Sequence, residues 1–269
     1  MIPSTESKLG IPELPSACYL YCVAENAGEE VATDIKGVEG NNVYQIAFRD
    51  LVVLLHNCEP QPYNSSDEQQ MLEWVLRHEE VVEEVSDIYS NVLPFAFNTI
   101  ITGGQEEKTA IGNLLRWFEA NYTSLKTKLD RIRGKKEYVV RIFMDCRQLT
   151  ADIMDNDVQL KALGENLVAS TKGKSFFIKE KINALVKRKI SIQADAYFHQ
   201  FYESISSIVR ECRIEKNSQV GKEQLMLMNL SCLADVQECL TLGKVLDEFN
   251  SCTGINISFS GPWPPYSFV

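Results

Sequence analysis

The chain has 269 residues, 45% of them hydrophobic and 24% charged, with a formal net charge of −10. That is the make-up of a soluble globular protein with room for one large or two ordinary cores, and the negative balance argues against nucleic acid or an anionic membrane as default partner. Eight cysteines, at 18, 22, 58, 146, 212, 232, 239 and 252, show neither CxxC nor zinc spacing, so they read as reduced, mostly buried thiols of a cytoplasmic protein.

Residues 1–16 hold Pro3, Gly10, Pro12 and Pro15 without periodicity and are expected to form a flexible arm. With Lys8 as the one basic residue and no apolar stretch, this end does not read as a secretory signal. The strongest aliphatic run, 51–55, is far short of a membrane span. Residues 18–24 predict a first, central strand, with Cys18, Leu20 and Cys22 on one face and Tyr19, Tyr21 and Val23 on the other. A connection punctuated by Gly28, Gly37 and Gly40 leads to strands over 43–48 and 51–56.

Pro60, Pro62 and Asn64 break the pattern, and Ser66 or Asp67 can cap a helix over 67–89. Its inner row is Met71, Val75, His78, Val82, Val85 and Tyr89. Its outer face carries Glu73, Glu79, Glu80, Glu83, Glu84 and Asp87, a block that usually does no more than meet solvent. A strand over 92–101 follows, and then a helix over 106–133 whose stripe runs from Ile111 to Ile132 and which Gly134 ends.

A second unit begins with a strand over 138–145 and a helix over 149–169, with a tight turn at 172–174. The helical pattern from 175 to 216 would be about 60 Å long as one rod. A hairpin over about 149–216 is therefore expected to project from a sheet, its arms packed coiled-coil fashion. A strand over 224–230, a helix over 235–250 and a strand over 255–259 complete an α+β order for which a ferredoxin-like arrangement is plausible. The expected division is an arm (1–16), an N-terminal α+β domain (17–133) and a C-terminal α+β domain with the hairpin (134–269).

The chain ends on Gly261, Pro262, Trp263, Pro264, Pro265, Tyr266, Ser267, Phe268 and Val269. Proline fixes φ and removes a donor, which excludes helix and central strand and predicts a stiff polyproline-like extension. Docking of its rings on the chain's own core is favoured over a partner-facing role, with Trp263 buried.

Chemistry is harder to find. Lys172-Gly173-Lys174-Ser175 resembles the end of a phosphate-binding loop, but Val168 stands where the first glycine belongs, and the preceding segment reads as helix. The three histidines fall in different elements, and His78, on an apolar row, reads as a satisfied core imidazole. No catalytic residue, cofactor or metal set is assigned. A nucleotide-dependent enzyme is the least supported alternative.

The order of landmarks carries more. His78 and Glu79 on a helix lead to Leu93, Pro94, Phe97 and Thr99. The run 136–145 follows, then Gly173 and Lys179, and last the run Gly261, Pro262, Trp263, Pro264, Pro265, Tyr266. From about residue 18 to the C-terminus this series resembles the gas vesicle protein GvpF/GvpL family. The Tyr-rich first strand and the turn at 37–40 fit it too. The resemblance implies an accessory protein in the cytoplasm and on the gas vesicle. It would be a minor component that binds the hydrophobic shell protein GvpA and other accessory proteins and assists assembly, without an enzymatic activity. A self-associating scaffold of the vesicle is the alternative. Two positions depart from the family pattern, Ala96 for Arg and Asn98 for Gly. They leave open whether this chain is a divergent paralogue.

Overall fold

Strand β1 (Ala17–Glu25) is the axis of the first sheet. In the computed structural model, which describes residues 16–25, 34–89, 91–104, 107–217 and 223–269, it is buried over all but its last residue. The expected arm up to residue 15, and Gly28 in the first connection, lie outside the described residues. The chain divides into two compact units, one of residues up to Gly134 with 264–267 and 269, the other of residues 135–263 with Phe268.

In the first unit β1 pairs antiparallel with β3 (Leu51–Cys58) on one side. On its other side it pairs with β4 (Val92–Pro94) and β5 (Ile100–Thr102). β2 (Tyr44–Phe48) extends the sheet beyond β3, through a turn at Arg49 and Asp50 with Arg49 at φ 56. The alternation expected along β1 holds only as far as Tyr21. Leu20 faces Leu55 and Cys22 faces Leu54, so Tyr21 is an extra, bulged residue, and the facing reverses beyond it. Tyr19, Tyr21, Cys22 and Ala24 consequently share one core with Val81, Val82 and Val85.

The strand expected over 92–101 is in fact two. Pro94 has no N–H to continue the ladder, and residues 95–99 leave it in a turn held by the Thr99 N–H on the Ala96 carbonyl at 3.1 Å. Helix α1 (Glu68–Ile88) is capped by the Asp67 carboxylate on the Gln69 N–H and buries His78, Val82 and Val85 of the expected inner row together with Val81, while Met71 and Val75 are only partly buried. Its acidic outer face is relieved in part by Arg77, 2.8 Å from Glu80 and 2.9 Å from Glu84. Helix α2 (Ala110–Ile132) starts at Thr109 and packs Leu114, Phe118, Leu125 and Leu129 inward.

In the second unit β6 (Lys136–Asp145) lies between β8 (Gln224–Ala234) and β9 (Ile255–Trp263). β7 (Glu211–Ile214) forms the far edge, giving the antiparallel order β7-β8-β6-β9. The core joins Val140, Ile142, Leu230 and Cys232 of the sheet to helices α5 (Lys172–Ile208) and α6 (Val236–Asn250). Phe201 of α5 stacks on Phe249 of α6 at 4.1 Å.

Three expectations shift here. The helix expected over 149–169 is two helices, α3 (Cys146–Asn156) and α4 (Val158–Val168). They part at Asp157, whose carboxylate caps α4 through the Leu160 N–H and pairs with Lys189 at 2.6 Å. The turn expected at 172–174 lies earlier, since Thr171 is already the N-cap of α5 and Gly173 is helical. The helix expected to reach 216 ends at Ile208, because Glu211–Ile214 find hydrogen-bond partners in β8. α3 and α4 both pack back on α5. At the far end of this pair Val168, Phe176 and Phe177 are 89%, 62% and 74% exposed.

The C-terminal run is neither a polyproline extension nor a buried Trp263. β9 continues through Gly261 and Pro262 as an edge strand, where a missing N–H is tolerated, with Trp263 opposite Glu137. Gly261 has φ 128, and a Cβ there would stand 2.8 Å from the Glu137 carbonyl oxygen. Trp263 remains 41% exposed at this edge, whereas Phe268, in the closing 3-10 turn Tyr266–Phe268, is 0% exposed.

Candidate functional site

The first unit buries two histidines at 0% exposure, and two strands, a helix and a turn build a hydrogen-bonded cluster around them. His78 comes from the inner row of α1, His56 from β3, and Tyr19 and Tyr21 from the bulged part of β1. His78 Nε2 lies 3.0 Å from the Phe95 carbonyl oxygen, which can only accept, so that nitrogen carries the proton. Its Nδ1 then accepts the Tyr19 hydroxyl at 2.9 Å. The Tyr19 oxygen in turn accepts the Asn98 N–H at 3.1 Å.

Alongside, the Tyr21 hydroxyl meets His56 Nδ1 at 2.8 Å and accepts the Val38 N–H at 2.8 Å. His56 Nε2 is 3.0 Å from the Tyr63 hydroxyl. Gly37 leaves room for this, since a Cβ on it would stand 2.1 Å from the Tyr21 oxygen. The rings interleave. Tyr19 stacks on His56 at 4.9 Å and Tyr21 on His78 at 5.3 Å, with Phe97 edge-on to His78 at 6.0 Å and Tyr266 at 6.4 Å.

Burial sets the protonation. Loss of hydration pulls both imidazoles down to about 4, so both are neutral at pH 7. The same cause pushes the Tyr63 phenol up to about 12, and Tyr19 and Tyr21 further in the same direction. Burial and the neighbouring Glu79 carboxylate raise the Tyr266 hydroxyl as well. Every nitrogen of these two imidazoles is engaged, which suits a cluster that ties β1, β3, α1, Tyr63 and the turns at Val38 and 95–98 together.

Of the residues singled out in the sequence, the fold gathers His78, Glu79, Phe97 and Tyr266 here, with Pro264 and Pro265 buried before the last. Leu93 and Pro94 lie on β4 beside Val23 and Cys22. Thr99 supplies the carbonyl for the Leu20 N–H at 2.9 Å. The rest stand elsewhere, Gly173 and Lys179 exposed on α5 and Gly261, Pro262 and Trp263 on β9. Sequence reasoning gave no role to Tyr19, Tyr21, His56, Tyr63 or Asn98. The signal available was two tyrosines two apart on the first strand.

Next to Tyr63 an open cavity of about 480 Å³ is lined by Glu39, Asn57, Glu59, Tyr63 and Trp74, among others. Among the described residues no group of three His, Cys, Asp or Glu side chains could hold a metal ion. Nor, among them, is any helix long and apolar enough to cross a membrane.

Residues 17–269 match the family described as gas vesicle synthesis protein GvpL/GvpF. Gas vesicle protein L of Haloferax mediterranei is 31% identical over 241 residues, covering 87% of this chain and 72% of that protein. Gas vesicle protein L1 of Halobacterium salinarum is 29% identical over 260 residues, 93% and 89% of the two chains. The crystal structure of GvpF from Anabaena sp. PCC7120 shares the fold, with a TM-score of 0.71 at 18% identity over 94% of this chain and 98% of that one. The family match spans both units, and the chain therefore belongs to the GvpL/GvpF family of gas vesicle proteins.

Proposed function

We propose that the chain is an accessory protein of gas vesicle assembly. It is a minor, cytoplasmic and vesicle-associated component that binds the hydrophobic shell protein GvpA and other gas vesicle proteins until they are incorporated. The observation that carries this is the family match over residues 17–269, under a description that names gas vesicle synthesis. The surface of the second unit supports it. Phe176, Phe177 and Val168 are open at the end of the α4–α5 hairpin, and β7 and β9 are the outermost strands of their sheet. An aggregation-prone shell subunit needs apolar and strand-edge contacts of that kind. The His–Tyr cluster is read as structural support for the first unit. The order β7-β8-β6-β9, with helices after the first and third strands in sequence, supports reading the second unit as ferredoxin-like, the hairpin being its insertion.

The test is a pull-down of purified GvpA and accessory proteins on the immobilised full chain, beside a scrambled control. Capture above the control, reduced by the double substitution F176S/F177S, is the expected result. Equal recovery on both columns would sink the proposal.

A second reading, a scaffold that self-associates, is favoured by one observation. The exposed carboxylates Glu73, Glu80, Glu83, Glu84 and Asp87 of α1 complement Lys174, Lys181, Lys187 and Arg188 of α5 in charge. Light scattering that shows assemblies of the full chain, dispersed by salt and missing from a hairpin deletion, would favour it.

A further inference from the structure

Two of the eight cysteines face each other across the second sheet. Cys212 of β7 is the register partner of Cys232 of β8. One hydrogen bond fixes the phase of that ladder, for the Glu215 N–H donates to the Asn229 carbonyl at 2.8 Å. Continuing the register from Ile214↔Leu230, residues 215 and 229 form a hydrogen-bonded pair. The pairs alternate, which makes 214/230 non-hydrogen-bonded, 213/231 hydrogen-bonded and 212/232 non-hydrogen-bonded. In a non-hydrogen-bonded pair the Cα atoms stand about 4.5 Å apart and the side chains lean together. That falls inside the span of about 4.4–6.8 Å which a disulfide bridges. Both sulfurs are on the core side, Cys232 within the hydrophobic cluster and Cys212 packed against it, and both are free thiols.

We propose that Cys212 and Cys232 form a dithiol site that low-molecular-weight disulfides oxidise reversibly to an intrachain disulfide. Cys212, partly exposed on a four-residue edge strand, is the attacking group. Its thiol gives its proton to water, and the thiolate attacks one sulfur of the oxidant and expels one thiolate. The product is a mixed disulfide on Cys212. The Cys232 thiolate, deprotonated in turn, attacks the Cys212 sulfur and expels the second thiolate of the oxidant. Two protein thiols have then lost two electrons, the S–S bond of the oxidant has gained them, and the two protons released end on its two thiols. Burial holds both protein thiols above their ordinary pKa, so exchange proceeds when the short edge strand opens locally.

The first unit contains a natural contrast. Cys18 and Cys58 also lie on paired strands, but Cys18 faces Asn57 and Cys58 faces Ala17. One position out of register puts them on opposite faces of the sheet.

The experiment incubates the full chain with oxidised glutathione, blocks remaining thiols by alkylation, and maps peptides without reduction. The expected result is a Cys212–Cys232 cross-link with a higher melting temperature, both reversed by dithiothreitol. C212S and C232S should abolish it, C18S should not, and C232A repeats the test with an apolar side chain should the hydroxyl disturb the core. A glutathione adduct that persists on Cys212 without the cross-link overturns the assignment. So does bonding spread over other cysteines, or no reaction with the folded chain.

Discussion

Asn98 stands in the left-handed region at φ 67, where a glycine would be unstrained. Asparagine tolerates that region better than most residues with a side chain. Here it adds what glycine lacks, since Oδ1 accepts the Tyr63 N–H at 2.9 Å and Nδ2 donates to the Tyr63 carbonyl at 3.0 Å. Asn98→Ala should cost about 2–3 kcal/mol, shared between lost hydrogen bonds and backbone strain. Asn98→Gly keeps the backbone relaxed and should cost about 1–2 kcal/mol. Urea titrations that rank the glycine variant as the weaker of the two would refute this account. The buried histidines make a second prediction. Their folded pKa of about 4 lies below the ordinary value, so between about pH 6.5 and 4 the unfolded chain binds protons that the folded one does not. Their contribution is full above pH 6.5 and is lost as pH falls toward 4, by about 3 kcal/mol for each histidine. Glu25, held down to about 2 by Arg133 and then Lys126, loses its contribution at lower pH, so the two windows separate. Urea midpoints at pH 7 and pH 4.5 should differ strongly in the native chain and less in H78Q, and equal differences would remove His78 from the explanation.

At the scale of single elements, the last strand reverses the expectation about which ring matters. Phe268 is fully buried while Trp263 stands on the outer edge of β9. Phe268→Ala should therefore cost about 3–5 kcal/mol, the range for emptying a buried aromatic site. Trp263→Ala should cost about 1 kcal/mol, as a partly exposed substitution does. Thermal melts of the two variants settle the order, and a larger loss for Trp263 would contradict it. The elements that the sequence showed clearly are those whose own periodicity carries them, such as α1 with its Asp67 cap, α2 and β6. What it concealed depended on a partner strand or on one exceptional residue. The Tyr21 bulge is a matter of registry with β3, invisible in an apolar run. β7 looks like more of α5, because Ile208 and Cys212 keep the helical spacing and only the hydrogen bonds of β8 make 211–214 a strand. The break at Asp157 was legible in principle, as a carboxylate able to cap in the middle of a helical pattern. The His–Tyr cluster was not, since its members are scattered over 19, 21, 56, 63 and 78 and meet only through the sheet.

For the whole molecule, the two compact units meet in sequence at Gly134, which closes α2 at φ 69. The allotment of the C-terminus does not follow sequence position. Pro264 to Ser267 count with the first unit, although the strand before them belongs to the second. The physical reason is local to the first unit, where Tyr266 sits 6.4 Å from His78 and its two preceding prolines are buried. A stretch that is last in sequence is thus part of the packing around α1 and β1. Proline suits that role, because its restricted φ leaves less conformational freedom to lose on docking. Deleting residues 264–269 should accordingly weaken elements far away in sequence. Hydrogen exchange on the shortened full chain should show faster exchange in α1 around residues 78–85 and in β1 around residues 19–22, where the amides depend on the His–Tyr cluster. Some loss in the second unit is expected as well, since the buried Phe268 counts with that unit and its ring lies under Arg213 of β7. The outcome that decides is the first. If exchange in α1 and β1 stayed at native rates while only residues 135–263 loosened, the tail would belong energetically to the second unit alone, and its contact with His78 would carry no stability.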